Sequence, residues 1–139
     1  FQAFDKAVEV EATNATAWMN RGMALEMLER YEDAVTSFDK AIEFNPTPKA
    51  WDKRGYVLIE LEKDEEALRS FEKALELDPN YASAFYNRAI SYSYQAKVDE
   101  AIEDLKKAIE LNEKYKEDAV NDPDFEGVAE DDKFKELVN

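Results

Sequence analysis

The segment WMNRGMALEMLERYEDAVTSFDKAIEFNP, residues 18–46, determines the fold predicted for this chain. Its first half places Trp18, Gly22 and Leu25 four and three residues apart, the spacing of one face of an α-helix. Its second half repeats that spacing with small and apolar residues, which are Ala34, Val35, Phe38, Ala41 and Ile42. Pro46 ends the pattern, because proline cannot continue a helix. The segment therefore predicts two helices joined by a turn at residues 29–31.

The same hairpin pattern recurs twice along the chain. Its seven pattern residues are Trp18, Gly22, Leu25, Ala34, Phe38, Ala41 and Pro46. All seven are found again 33 residues later, as Trp51, Gly55, Leu58, Ala67, Phe71, Ala74 and Pro79. After 34 more residues the set is Phe85, Ala89, Tyr92, Ala101, Leu105, Ala108 and Glu113, and all but the last keep their character. A period of this length with two helices per unit is typical of helical repeat proteins.

The repeat resembles the tetratricopeptide repeat family, whose signature is W-x2-L-G-x2-Y, then A-x3-F, then P. The resemblance implies an all-α fold, a right-handed superhelical solenoid of antiparallel helix hairpins. One departure is systematic, because the family's leucine position carries Arg21, Arg54 and Arg88. We expect each arginine stem to lie on its hairpin with its charge paired to a neighbouring carboxylate, rather than to bind a ligand.

The repeat register divides the chain into five segments. They are residues 1–12, the second helix of a truncated repeat; 15–47, 48–81 and 82–115, three full repeats; and 116–139, the C-terminal capping helices. Because the pattern is already under way at Phe1, which is not methionine, we expect the chain to be part of a longer protein.

Composition narrows the possible functions. The net charge of −15 disfavours nucleic acid and anionic membranes as partners, because both are negatively charged. The chain contains neither cysteine nor histidine, so it offers no thiol nucleophile, no Ser–His pair and no Cys/His zinc site. Its paired carboxylates fall at helix starts and on polar faces, where solvation explains them. We therefore predict no enzyme activity and no cofactor, and take the cytoplasm as the default location.

One acidic string imitates a metal site. Asp122, Asp124, Glu126 and Gly127 have the spacing that begins an EF-hand calcium loop. The twelfth position of such a loop needs a carboxylate but is Lys133 here. We interpret the string as the linker to the final helix and predict no metal site.

The resemblance places a peptide-binding groove on the first helix of each repeat, because these helices line the concave surface in this family. The candidate groove residues are Met19, Asn20, Met23, Met27, Lys49, Lys53, Tyr56, Tyr86, Asn87, Ile90 and Tyr94. The three methionines form one stripe of flexible side chains that adapt to varied partners. Asn20, Lys53 and Asn87 occupy the same register in successive repeats, and we expect them to hydrogen-bond a bound peptide. Some family members grip a terminal carboxylate, and Asn20, Lys49 and Lys53 match part of that clamp, whose remaining residues would precede Phe1.

Two functional hypotheses follow. The first is an interaction scaffold that binds a protein or peptide segment in the concave groove. The second is a structural segment of a longer solenoid that self-associates, as a homodimer, through its exposed N-terminal helix. Two further readings of the groove stay open: Met23 and Met27 pack against neighbouring helices, or the C-terminal cap folds into the groove.

Overall fold

The structure is a computed structural model that describes residues 14–139, where all regular structure is helical. Eight α-helices and one 3-10 turn are found in that range. They are α1 (Ala15–Met27), α2 (Tyr31–Phe44), α3 (Pro48–Glu60), α4 (Asp64–Leu77), α5 (Ala82–Tyr94), α6 (Val98–Leu111), α7 (Lys114–Asn121), the 3-10 helix Pro123–Phe125, and α8 (Asp132–Val138). The helix predicted at residues 1–12 lies outside the described residues.

The chain forms two compact units that divide between Leu77 and Asp78. In the first unit α1 packs on α2, α3 packs on α4, and α2 contacts α3. In the second unit α5 packs on α6. The 3-10 helix contacts α5, and α7 and α8 contact α6 and each other. The predicted all-α fold of helix hairpins is confirmed.

Helix starts follow from local chemistry. Asn14 caps α1 by accepting hydrogen bonds from the backbone N–H groups of Thr16 (2.9 Å) and Ala17 (3.3 Å). The Thr47 hydroxyl caps α3 by accepting from the N–H of Ala50 at 3.1 Å, and Pro48 fills the first turn. Both caps satisfy N–H groups that have no partner within the helix.

The three hairpin turns share one geometry. The residues Glu29, Glu62 and Ala96 have φ values of 58°, 59° and 58°, in the left-handed region that favours glycine. In each turn the next N–H reaches back five residues to a helix carbonyl at 2.9 Å, in the pairs Arg30–Leu25, Lys63–Leu58 and Lys97–Tyr92. This is the hydrogen-bond pattern of a Schellman helix end.

The hairpin cores depend on a glycine packed against a phenylalanine ring. A Cβ atom added at Gly22 would lie 2.6 Å from Phe38 Cε1, and one added at Gly55 would lie 2.5 Å from Phe71 Cε1. The third hairpin has Ala89 and Leu105 at the corresponding positions, and both are buried. In the third hairpin, the larger Ala89 in place of glycine on the first helix is thus accompanied by the smaller Leu105 in place of phenylalanine on the second helix.

The arginines that replace the family's leucine hold the two helices of each hairpin together. Arg88 donates from Nε and Nη2 to both carboxylate oxygens of Asp104, each at 2.7 Å. Arg54 donates to the Ser70 hydroxyl at 2.7 Å and to Asp39 at 2.6 Å. These contacts confirm the predicted carboxylate pairing for Arg54 and Arg88. Arg21 donates to the hydroxyl of Ser37, at 2.7 Å.

Candidate functional site

The methionine stripe of α1 runs from the core of the first unit towards solvent. Met19 and Met23 are half-buried and pack against the core cluster of Leu25, Ala34, Phe38 and Val57. Met27, one turn further on, is 86% exposed. Packing against neighbouring helices, one of the alternatives for this stripe, is therefore observed for Met23 but not for Met27.

A cleft of about 210 Å³ opens beside the start of α1 and the loop that leads into α3. It brings together four of the predicted groove residues: Met19, Asn20, Met23 and Lys49. Ala15, Thr16, Asn45 and Thr47 complete its wall. Two thioether side chains supply apolar surface, while amide, hydroxyl and ammonium groups supply hydrogen-bond donors. Among the described residues that line this cleft none is acidic, although the chain as a whole is strongly acidic.

Lys53 and Tyr56 lie on α3, and both are half-buried. Lys53 interacts electrostatically with Glu26 of α1. Burial raises the pKa of the Glu26 carboxyl, the Lys53 charge opposes that rise, and Glu60 adds to it. The positive charge of Lys53 is therefore shared with carboxylates of the protein itself, whereas the described residues that line the cleft around Lys49 include no carboxylate.

The corresponding face of α5, in the second unit, is covered by the chain's own C-terminal segment. We name residues 122–127 the strap. The Tyr86 hydroxyl donates to Asp122 Oδ2 at 2.8 Å, and the Tyr94 hydroxyl donates to Asp124 Oδ1. Tyr86 is 8% exposed and Ile90 is 2% exposed. The expectation that Tyr86 and Ile90 line an open groove is corrected here, because both side chains are buried.

Aromatic packing fixes the strap in place. The Phe125 ring meets the Tyr86 ring edge-on at a centroid distance of 5.3 Å and lies 5.9 Å from the ring of Phe134 in α8. On its other side Tyr86 stacks on Tyr115 of α7 at 4.7 Å. In this unit the C-terminal segment lies on the face of α5 that was expected to line the groove. This is the alternative in which the C-terminal cap folds into the groove.

The remaining predicted residues of α5 lie at the edge of this contact. Asn87 is half-buried, and its side-chain amide donates to the Ser83 hydroxyl at 3.4 Å. Tyr94 is exposed, and its hydroxyl donates to Asp124. Asn20, Lys53 and Asn87 thus have different surroundings, with Asn20 the exposed member of the three.

The sequence interpretation missed the residues that build the strap contact. Asp122 and Asp124 were assigned to a linker, and Phe125 was not singled out, although it is 1% exposed. A detectable signal was the aromatic residue within an otherwise polar linker, since a large apolar side chain there needs a surface to cover it. Throughout residues 14–139 no cluster of acidic side chains is arranged to hold a metal ion. Within the same range, every helix is too short or too polar to cross a membrane.

Comparison with known proteins gives the same fold. The family model described as "Tetratricopeptide repeat" matches residues 15–48 and 82–115, and the one described as "TPR repeat" matches residues 55–95. No curated protein matches the chain in sequence.

Solved structures of similar fold include two crystal structures of MamA. Both have a TM-score of 0.77, and their sequence identities are 18% and 20%. Each alignment covers 99% of this chain, and the alignments cover 84% and 74% of the two MamA chains. YrrB, described as a TPR protein with an unusual peptide-binding site, has a TM-score of 0.71 and 24% identity, with 96% of this chain and 70% of YrrB covered. At these identities the likeness concerns the fold.

Proposed function

This chain belongs to the tetratricopeptide repeat family, whose members bind protein or peptide partners, and we propose that it is an interaction scaffold that binds a peptide at the cleft of its first unit. The observation that carries the proposal is the cleft itself. Met19 and Met23 present flexible apolar surface, while Asn20 and Lys49 present donors beside it. The peptide-binding site named for YrrB, a protein of the same fold, supports a peptide as the class of ligand.

The chemistry of the cleft specifies the peptide. An apolar side chain of the ligand would pack on Met19 and Met23, where the burial of each further methylene stabilises the complex by about 0.8 kcal/mol. A ligand carboxylate, from a side chain or a chain end, would pair with Lys49, because a charged hydrogen bond is stronger than a neutral one. Asn20, Lys53 and Asn87 remain our candidates for hydrogen bonds to the peptide backbone. Asn20 and Lys53 belong to the first unit, and Asn87 belongs to the second.

Charge reversal at the cleft tests this proposal. Peptides selected from a random library on the parent chain should contain an acidic group next to an apolar residue. Lys49→Glu should weaken their binding at least tenfold in a calorimetric titration. The matched control is Lys40→Glu on α2, an exposed lysine that pairs with Glu43 at 3.5 Å. Equal losses in both variants would assign the effect to net charge and contradict the proposed site.

The methionines provide a second readout. Met19→Ser with Met23→Ser should remove affinity for apolar peptides, whereas Met27→Ser should not, because Met27 lies outside the cleft and is already exposed. Replacement of Asn20, Lys53 and Asn87 together by alanine should lower peptide affinity. Unchanged affinity in that triple variant would remove these three residues from the site.

Self-association through residues 1–12 is the alternative function. It is favoured by Phe1 and Phe4, two large apolar residues on a half repeat. Light scattering over a hundredfold concentration range should then show a dimer that Phe1→Ser with Phe4→Ser converts to a monomer. A parent chain that is monomeric at every concentration would exclude this alternative.

A further inference from the structure

The strap is bound to α5 by hydroxyl groups. Its two aspartates, Asp122 and Asp124, accept hydrogen bonds from the hydroxyls of Tyr86 and Tyr94. The two tyrosines are eight residues apart on one face of α5, so they reach two carboxylates that are two residues apart in the strap. Within the described part of the chain, neither Asp122 nor Asp124 forms an ion pair.

The strap also fits α5 closely at its far end. A Cβ atom added at Gly127 would lie 2.9 Å from the backbone oxygen of Ser93. The obstacle is backbone, which cannot turn aside as a side chain would. Glycine is therefore required for the strap to approach α5 this closely. Between Gly127 and the carboxylates, the ring of Phe125 inserts beside Tyr86.

Two features show that this contact is not optimal for the strap. The Ser93 hydroxyl is buried beneath it without a hydrogen-bond partner, an arrangement that disfavours the bound state. Burial also raises the pKa of the Asp124 carboxyl; the hydrogen bond from Tyr94 opposes that rise and the charge of Asp122 adds to it, so the ionised form remains disfavoured in this position. A segment that kept both carboxylate contacts and also gave Ser93 a hydrogen-bond partner would bind the same face more favourably.

From this geometry we propose that the strap is a displaceable occupant of the α5 face, and that this face recognises acidic peptide segments of the type Asp-x-Asp-aromatic. The strap itself shows the chemistry of the ligand: two carboxylates that accept from two tyrosine hydroxyls, followed by an aromatic ring that packs against Tyr86. The face is distinct from the cleft that contains Lys49, so either proposal can fail without the other.

The first test measures whether the strap opens while the rest of the chain stays folded. The chain contains no cysteine, so Ser93→Cys places a single thiol beneath the strap. Under native conditions a thiol reagent should label this cysteine at a rate that rises only weakly with urea, as local opening requires. Labelling that follows the steep urea dependence of global unfolding would make the strap a fixed part of the core and overturn the proposal.

The second test measures recognition. A fluorescent peptide of residues 121–130, NDPDFEGVAE, which includes the strap, is titrated into the full chain and into the Gly127→Ala variant. That substitution weakens strap docking but leaves every α5 residue in place. Gly127→Ala should bind at least tenfold more tightly than the parent, and added Tyr86→Phe should reverse most of that gain. A peptide with both aspartates changed to asparagine is the control and should bind weakly to all variants.

Each outcome of the peptide titration is decisive. A folded Gly127→Ala chain, judged by its helical circular dichroism, that does not bind the peptide overturns the proposal. The same holds for a Gly127→Ala chain that loses its helical signal, because the strap would then be indispensable to the fold. Equal binding of the aspartate and asparagine peptides would contradict carboxylate recognition.

Discussion

The Gly55–Phe71 contact offers the sharpest test of how this hairpin packs. In Gly55→Ala the new methyl carbon would lie 2.5 Å from Phe71 Cε1 and 2.7 Å from Cζ. Carbon atoms prefer a separation of roughly 3.5–4.0 Å, so the ring or the helix must move by about 1 Å. Phe71 is completely buried, so its ring is surrounded by protein rather than by solvent. We expect the substitution to lower the free energy of unfolding by about 1–3 kcal/mol, the usual effect of overpacking.

The chain itself contains the compensating pair. Where the second hairpin has Gly55 and Phe71, the third has Ala89 and Leu105, both buried. Phe71→Leu alone should lower stability by about 1–2 kcal/mol, less than the roughly 3–5 kcal/mol of a change to alanine. The double variant should be about 1–2 kcal/mol more stable than the sum of the single effects, because the smaller side chain makes room for the methyl group.

Urea unfolding followed by tryptophan fluorescence is the suitable assay, since Trp18 and Trp51 both lie in the first unit. Stability is obtained by linear extrapolation for the parent, the two single variants and the double variant. Additive losses would refute the steric explanation, as would a Gly55→Ala chain as stable as the parent. Ala89→Gly is the reciprocal control: it removes a buried methyl group from the second unit and should destabilise that unit, which is followed by circular dichroism because both tryptophans lie in the first unit.

Three further predictions concern single contacts. Ala96→Gly should raise stability by about 0.5–1 kcal/mol, measured as a shift of the urea midpoint, because φ is 58° there and glycine removes the steric strain. Arg88→Ala should cost about 2–3 kcal/mol at neutral pH, since Asp104 would stay buried without its partner. That loss should shrink in acid, because burial raises the pKa of Asp104 and protonation removes its charge. Glu26→Gln should make the free energy of unfolding less dependent on pH. In the parent, the raised pKa of Glu26 stabilises the fold below pH 4.5, and this stabilisation is lost as pH rises through that raised pKa. A parent and variant whose stabilities change equally between pH 4 and 7 would contradict the prediction.

The hairpins were predictable from sequence because their determinants are local and periodic. Trp18, Gly22 and Leu25 mark one helix face, and Pro46 marks where the hairpin must end. Because the same pattern occurs three times in register, the helix prediction rests on three matching segments rather than on one. The pairing of Arg54 and Arg88 with carboxylates followed from the same register, since a charged group next to a core must find a partner.

The state of the groove was not predictable in this way. Tyr86 occupies the same helical position as Met19, yet Met19 lines an open cleft and Tyr86 is buried by a contact 36 residues away in sequence. No periodicity links α5 to the strap, because the strap is not a repeat. Its docking depends on Phe125, one side chain in a polar linker, and on Gly127, whose role is visible only when the distance to Ser93 is known.

The two first-helix faces also differ in how they can hold a carboxylate. At the first-unit cleft Lys49 offers a full positive charge, so binding there should weaken as salt rises. On α5 the donors are neutral hydroxyls, which bond a carboxylate without a long-range field. A neutral hydroxyl attracts a carboxylate less strongly than a cation does. When the strap leaves, however, the hydroxyl leaves no unpaired buried charge, so opening costs less free energy than it would with a buried cation. Hydroxyl recognition is therefore the chemistry to expect where a segment must bind and release. Because the chain has a net charge of −15 and the peptide is acidic, salt screens their repulsion, so peptide binding to the strap-weakened chain should stay the same or strengthen between low and moderate salt. A strong loss of affinity with salt on that face would contradict hydroxyl recognition and require a cation in its place.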